Sequence, residues 1–133
     1  MEYGRRIELP VPYDVAVGRV KEALKEQGFG VLTEIDVRAT LRDKIGREIE
    51  DYVILGACNP QLASRALDVD RRIGLLLPCN VVVRADGERS VVELLDPQVM
   101  VSVPERPELA PIADEAGRRL DAALATLTGQ VPA

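Results

Sequence analysis

Residues 108–128 keep one apolar face through five helical turns, and this long amphipathic segment constrains the fold more than any other feature. A second helical pattern covers residues 13–27 and ends at Gly28, where a left-handed C-terminal cap is expected. Between these two segments lie short runs with a period of two, which is typical of strands. Helices towards both ends with strands between them predict an α+β fold.

The strand pattern recurs along the chain, and two of its occurrences flank Asp86-Gly87. Both of these residues tolerate positive φ, so this pair of strands is predicted to form a β-hairpin. In the second strand the odd-numbered residues from Val31 to Val37 are expected to share the buried face. The strand segments are residues 5–9, 31–37, 52–57, 81–85 and 90–95, and residues 99–103 are expected to extend the sheet.

Two shorter helices are predicted between the strands. Residues 38–45 form the first, with Leu41 and Ile45 turned inward and Gly46 as its stop. The second begins at Pro60 and uses Asn59 as its N-terminal cap, because asparagine caps helices well and proline suits the first helical position. The run 73–77 is apolar on all sides and too short to classify by its period.

These elements predict one domain over residues 1–133: a mostly antiparallel sheet with the two long helices packed on one face. Apolar residues make up 47% of the chain but only 3% are aromatic, so the core must be built from aliphatic side chains.

Charge and hydropathy exclude two classes of partner. The net charge is −5 and the basic residues form no stripe, which argues against nucleic-acid binding. No apolar run approaches the ~20 residues that span a bilayer, so no membrane association is expected. The N-terminal segment lacks the long apolar region of a signal peptide, so we expect a cytoplasmic protein with reduced thiols. A content of only two Asn fits a thermophilic source, and the bias of 14 Arg over 3 Lys fits this or a high-GC genome.

The chain has no histidine, which removes the usual general base and the commonest metal ligand. Nucleophile arrangements that pair serine or cysteine with histidine are excluded for the same reason. Gly28-Phe29-Gly30 follows a helix instead of preceding one, which is the wrong context for a dinucleotide-binding loop. No catalytic residue or cofactor is therefore assigned.

The only two cysteines are each followed by one of the only two asparagines, giving the pairs Cys58-Asn59 and Cys79-Asn80. Each pair lies next to a proline, where an apolar run meets a change of direction. Such junctions gather at one end of a sheet, so the two pairs are expected to lie close together. The candidate site comprises the two pairs, with Gly56, Pro60 and Pro78 as supporting loop residues.

A structural interpretation explains the same residues without a ligand. Free cysteines are often buried and pack as small apolar residues. Asn59 then serves only as a helix cap, and Asn80 satisfies backbone groups freed by Pro78. The Leu77-Pro78 bond would be a cis bond in a tight turn.

Three functional interpretations remain open beside it. The loops 56–60 and 78–80 could line a small-molecule pocket, since asparagine offers a donor and an acceptor. A thiol near the start of the helix at Pro60 could be a reactive thiolate, as in a thiol enzyme or redox sensor. Cys58, Cys79 and Met100 could instead hold a soft ion such as Cu(I), whereas zinc usually takes four ligands and often histidine.

The segments 52–60 and 73–81 resemble the family called "domain of unknown function 302". The resemblance extends over nearly the whole chain and includes Gly28-Phe29, the strand with Glu34-Ile35-Asp36, and Asp96-Pro97 followed by Met100. It implies an α+β domain similar to the TATA-binding-protein fold and a homodimer, and it implies no particular reaction.

The leading prediction is a binding module whose small-ligand or soft-metal pocket lies at the two Cys-Asn loops. A thiol enzyme using Cys58 and Cys79, and a structural or interaction protein whose cysteines only pack, are the alternatives.

Overall fold

The computed structural model describes residues 2–129, and this part of the chain has the predicted α+β architecture. Met1 and residues 130–133, which the single-domain prediction included, lie outside the described residues. The elements are β1 (Gly4–Leu9), α1 (Tyr13–Glu26), β2 (Gly30–Asp36), α2 (Val37–Ile45), β3 (Tyr52–Cys58), α3 (Pro60–Val69), β4 (Cys79–Asp86), β5 (Arg89–Leu95), α4 (Val99–Ser102) and α5 (Ala110–Leu127).

The strands form one five-stranded sheet in the order β1-β5-β4-β3-β2, and every neighbouring pair is antiparallel. β1 and β2 therefore occupy opposite edges, although they are neighbours in sequence. Helix α1 connects them across the sheet and contacts β2, β4 and β5. The predicted mostly antiparallel sheet is confirmed.

The two long helices form the second layer, because α5 packs against α1. Their buried side chains recur at helical spacing, and a left-handed Gly28 (φ 85°) ends the first helix as expected. The Phe29 amide then donates to the Leu24 carbonyl at 2.9 Å, which completes the cap. The resulting core is one almost entirely aliphatic cluster.

Side chains alternate between the two faces of the sheet, and this alternation determines to which face each strand residue points. Leu55, Val81 and Val83 point to the helix-covered face and join the core. The alternate residues Ile54, Val82 and their row-mates point the other way, to what we call the open face.

A β-bulge makes one strand prediction wrong. Between Val31 and Thr33 the register with β3 shifts by one residue. Val31 pairs with Ala57 on the helix-covered face, whereas Thr33 and Ile35 pair with residues of the open face. The extra residue inverts the alternation, as a single insertion must in a structure of period two.

Three further segments refine the predictions. Residues 99–103 do not extend the sheet: α4 covers most of them, and it follows a turn in which the Asp96 carboxylate accepts from the Gln98 amide at 2.9 Å. Helix α2 ends at a left-handed Gly46 as predicted, but Ile45 is 71% exposed instead of inward. The unclassified apolar run 73–77 lies largely in a 3-10 helix, Arg71–Leu76. Within residues 2–129 no helix combines the length and apolarity that a bilayer crossing requires.

Candidate functional site

A small cavity of about 20 Å³ lies on the helix-covered side, where β3 ends and β4 begins. The residues that line it include Cys58, Cys79 and Met100, which carry sulfur, and we call it the sulfur cavity. Only one other residue of the chain, Met1, carries sulfur. The remaining lining is Phe29, Ala57, Asn59, Leu62, Ala63, Leu77, Ile112 and Ala116.

The three sulfur-bearing residues reach the cavity from three elements. Cys79 begins β4 opposite Ala57, so its side chain points to the helix-covered face. Cys58 is the last residue of β3, immediately before the chain turns into α3. Met100 is buried on α4, whose residues Val99 and Met100 donate to carbonyls of Asp96 and Pro97 at 3.0 and 2.9 Å.

Asn59 is both a cap and part of the cavity wall. Its Oδ1 accepts from the Leu62 amide at 3.1 Å, and Pro60 occupies the first turn of α3. The side chain is only 7% exposed, and its Nδ2 would lie 3.0 Å from a Cβ at residue 28. The predicted capping role is therefore confirmed, with the amide enclosed between α3 and the turn after α1.

The other predicted site residues do not line the sulfur cavity. Gly56 and Asn80 face each other across β3 and β4 on the open face, and Asn80 is exposed. Pro78 lies beside Gly56, since a Cβ at residue 56 would approach its Cγ to 2.9 Å. The Leu77-Pro78 peptide bond is cis. Of the two Cys-Asn pairs, three residues meet at the cavity and the fourth points away from it.

Burial sets the protonation of both thiols. Burial, with a smaller contribution from the nearby Cys58, raises the pKa of Cys79 to about 11. Burial also raises the pKa of Cys58. Both cysteines are free, and at neutral pH both are thiols. The lowered pKa that a reactive thiolate at a helix start requires is not what this environment produces.

The size of the cavity decides what it can accommodate. Pockets for organic ligands measure about 300–1,000 Å³, whereas a single water needs about 10–15 Å³ by the same kind of measure. A space of about 20 Å³ has room for one ion or one water and not for an organic ligand. Among the described residues, no group of three or more Cys, Asp or Glu side chains is placed to hold a metal, so a third protein ligand here would be Met100.

The sequence did not predict which apolar residues line the sulfur cavity. Ile112 and Ala116 come from α5, and their i, i+4 spacing marks them as inward but does not say which end of the sheet they cover. Phe29 was recognised as the residue after a helix cap, and its place beside the cysteines depends on the crossing path of α1.

Comparison with known proteins gives a family and a fold. The family model "Domain of unknown function DUF302" matches residues 5–127. A solved structure, the crystal structure of an uncharacterized conserved protein DUF302 from Bacillus stearothermophilus, is 31% identical with a TM-score of 0.86. The match covers 93% of this chain and 97% of that one. No curated protein matches the chain.

Proposed function

This chain belongs to the family Domain of unknown function DUF302, and we propose that it is a binding protein that holds one soft metal ion, Cu(I), in the sulfur cavity. The observation that carries the proposal is the convergence of Cys58, Cys79 and Met100 on one space of about 20 Å³.

The donor set suits a monovalent, polarisable ion. Thiolate and thioether sulfurs are soft ligands and select Cu(I) over harder cations. Two thiolates and one thioether offer three ligands, which matches the low coordination that a closely packed cavity permits. Zinc fits less well, because structural zinc sites take four ligands and only two cysteines are present.

The surroundings of the sulfurs favour a soft ion. Phe29, Leu62 and Ile112 make most of the wall apolar and add no oxygen or nitrogen side-chain ligand, so a harder ion would lack the donors it prefers. Both thiols are protonated before binding, since burial raises the pKa of each. Binding one Cu(I) to two thiolates releases two protons and leaves a single negative charge on the site.

The thiol-enzyme alternative is less favoured. Its chemistry needs a thiolate at neutral pH, and the pKa of Cys79 is raised to about 11. A small organic ligand at this cavity is disfavoured by volume. The packing alternative remains the competitor that an experiment must exclude, because buried free cysteines often have no function.

Cellular location and assembly form part of the same proposal. The site needs reduced cysteines, which the cytoplasm maintains.

We also propose a homodimer formed through the edge strand β2, where Leu32 is 68% exposed and Ile35 is 49% exposed. Light scattering after gel filtration should give twice the chain mass, and a Leu32→Lys variant should give the single mass. On the low asparagine content we also propose a heat-stable protein from a thermophile, with a thermal midpoint above the about 45–65 °C of mesophilic domains.

Competitive titration tests the metal proposal. Reduced protein is titrated with Cu(I) without oxygen, in the presence of a chromogenic Cu(I) chelator. We expect the unaltered protein to bind one Cu(I) per chain in competition with the chelator. The Cys58→Ala, Cys79→Ala double variant should bind none. Met100→Leu conserves volume and removes only the sulfur, so it should weaken binding about tenfold without altering the fold.

The matched control for Met100→Leu is Leu9→Met, a similar exchange at a buried position that does not line the sulfur cavity. Circular dichroism and thermal unfolding check that each variant is folded. Equal Cu(I) binding by the unaltered protein and the folded double-cysteine variant would overturn the proposal and favour packing.

A further inference from the structure

A second concavity, of about 310 Å³, lies on the open face of the same sheet. It is separate from the sulfur cavity because Cys79 and Asn80 are successive residues of β4 and point to opposite faces. We call it the tyrosine pocket after two of the residues that line it. Its lining includes Tyr3, Tyr52, Asn80, Val82, Glu93 and Leu95.

The pocket brings together two of the three tyrosines of the chain. Tyr3 is 70% exposed, so its ring has a face free for contact. Val82 and Leu95 provide the apolar surface between the polar groups. Aromatic rings over an aliphatic floor bind flat rings by stacking, which is largely indifferent to the identity of the ring.

Two polar side chains give the pocket a directional edge. Asn80 is exposed and lines the pocket. It therefore offers a donor and an acceptor side by side. The Glu93 carboxylate is held by Arg84, whose Nε lies 3.3 Å from its Oε1. A donor beside an acceptor can pair with the edge of a planar heterocycle that presents an acceptor beside a donor.

We propose that the tyrosine pocket binds a small, planar heteroaromatic molecule that carries adjacent hydrogen-bond donor and acceptor groups. The volume of about 310 Å³ is at the lower limit for organic-ligand pockets and suits one fused ring system. A nucleic-acid strand does not fit, because the net charge is −5 and Glu93 lies in the pocket. This proposal is independent of the sulfur cavity.

Nuclear magnetic resonance titration tests it with two probes that share this chemistry, riboflavin and adenosine. Amide signals of Asn80 and Val82 should shift on addition of at least one probe, with a Kd below about 1 mM. The two probes distinguish a fused three-ring system from a nucleobase. Tyr3→Leu should weaken binding at least about tenfold, since the ring is exposed and its loss does not threaten the fold.

Asn80→Ala should weaken binding by about fivefold or more, while Ile35→Ala on the same face but outside the pocket should leave it unchanged. Absence of shifts with either probe up to about 5 mM overturns the proposal. Shifts that follow protein concentration instead of probe concentration also overturn it, because a second copy of the chain then covers this face.

Discussion

The two Cys-Asn pairs have the same sequence and end in different environments. Cys58-Asn59 lies where β3 ends and α3 begins, and both residues line the sulfur cavity. Cys79-Asn80 lies inside β4, so its two side chains point to opposite faces of the sheet. The sulfur of the second pair joins the first pair, and its amide joins the tyrosine pocket. Whether the chain continues as a strand or turns into a helix decides the role of the asparagine.

The two pairs also meet on the open face, through the residues that precede them. Gly56 lies two residues before Cys58, and Pro78 lies immediately before Cys79. A Cβ at residue 56 would collide with the Thr33 hydroxyl and approach Pro78 Cγ to 2.9 Å. Because Gly56 has no side chain, the end of β3 and the Pro78 turn before β4 can pack together.

The largest expected effect comes from closing this gap. Gly56→Ala should lower the free energy of unfolding by up to about 3 kcal/mol, because the proline ring cannot rotate away. Gly30→Ala is the matched control, since nothing lies within 4 Å of its added Cβ. Urea unfolding measures both, and equal stability of the two variants would refute the close approach of the pairs.

A smaller effect, on the pH dependence of the free energy of unfolding, should distinguish the two cysteines. In the folded, metal-free protein the pKa of Cys79 is raised from 9.0 to about 11, so it keeps its proton where the unfolded chain loses it. Its contribution to stability is therefore complete below about pH 9 and declines as the pH rises to about 11, by on the order of 2 kcal/mol.

Unfolding curves of reduced protein between about pH 8 and pH 11 measure this decline. The Cys79→Ala variant should not show this decline, whereas Cys58→Ala should keep most of it. Because Tyr13 is present in both variants, their difference separates the thiol from the alkaline titration of Tyr13, whose pKa is raised to about 12. The same pH slope in Cys79→Ala and the unaltered protein would show that this thiol is not buried as described.

The smallest effect compares the two asparagines directly. Asn59→Ala should cost about 1 kcal/mol, because it removes the α3 cap and leaves the Leu62 amide without its acceptor. Asn80→Ala should change stability by less than about 0.5 kcal/mol, since its side chain is exposed. Thermal unfolding of both variants checks the difference, and equal losses would mean that Asn80 has a structural role that its exposure does not suggest.

Much of the fold follows from local pattern. Helices α1 and α5, the hairpin between β4 and β5, and the Gly46 stop were all predicted from periodicity and turn residues. The missed helix α4 had a signal as well. Asp96-Pro97 forms a turn just before it, in which the Asp96 carboxylate accepts from the Gln98 amide, but the β-branched residues around Met100 suggested a strand.

The remaining errors depend on information that is not local. The bulge at Leu32 is set by pairing with β3, and it exchanges the faces of Thr33 and Ile35. The convergence of the two cysteines was predicted from strand ends, and the structure places both on one cavity. Asn80 lies outside that cavity, because β4 begins at Cys79 and the next residue points to the open face, and the sequence did not show where this strand begins.

X-ray absorption at the copper edge tests the central claim most directly, because it counts the atoms bound to the metal. Protein loaded with one equivalent of Cu(I) should show a first shell of three sulfur atoms, falling to two in Met100→Leu. A first shell dominated by nitrogen or oxygen, or one unchanged by removal of both cysteines, would contradict a shared three-sulfur site.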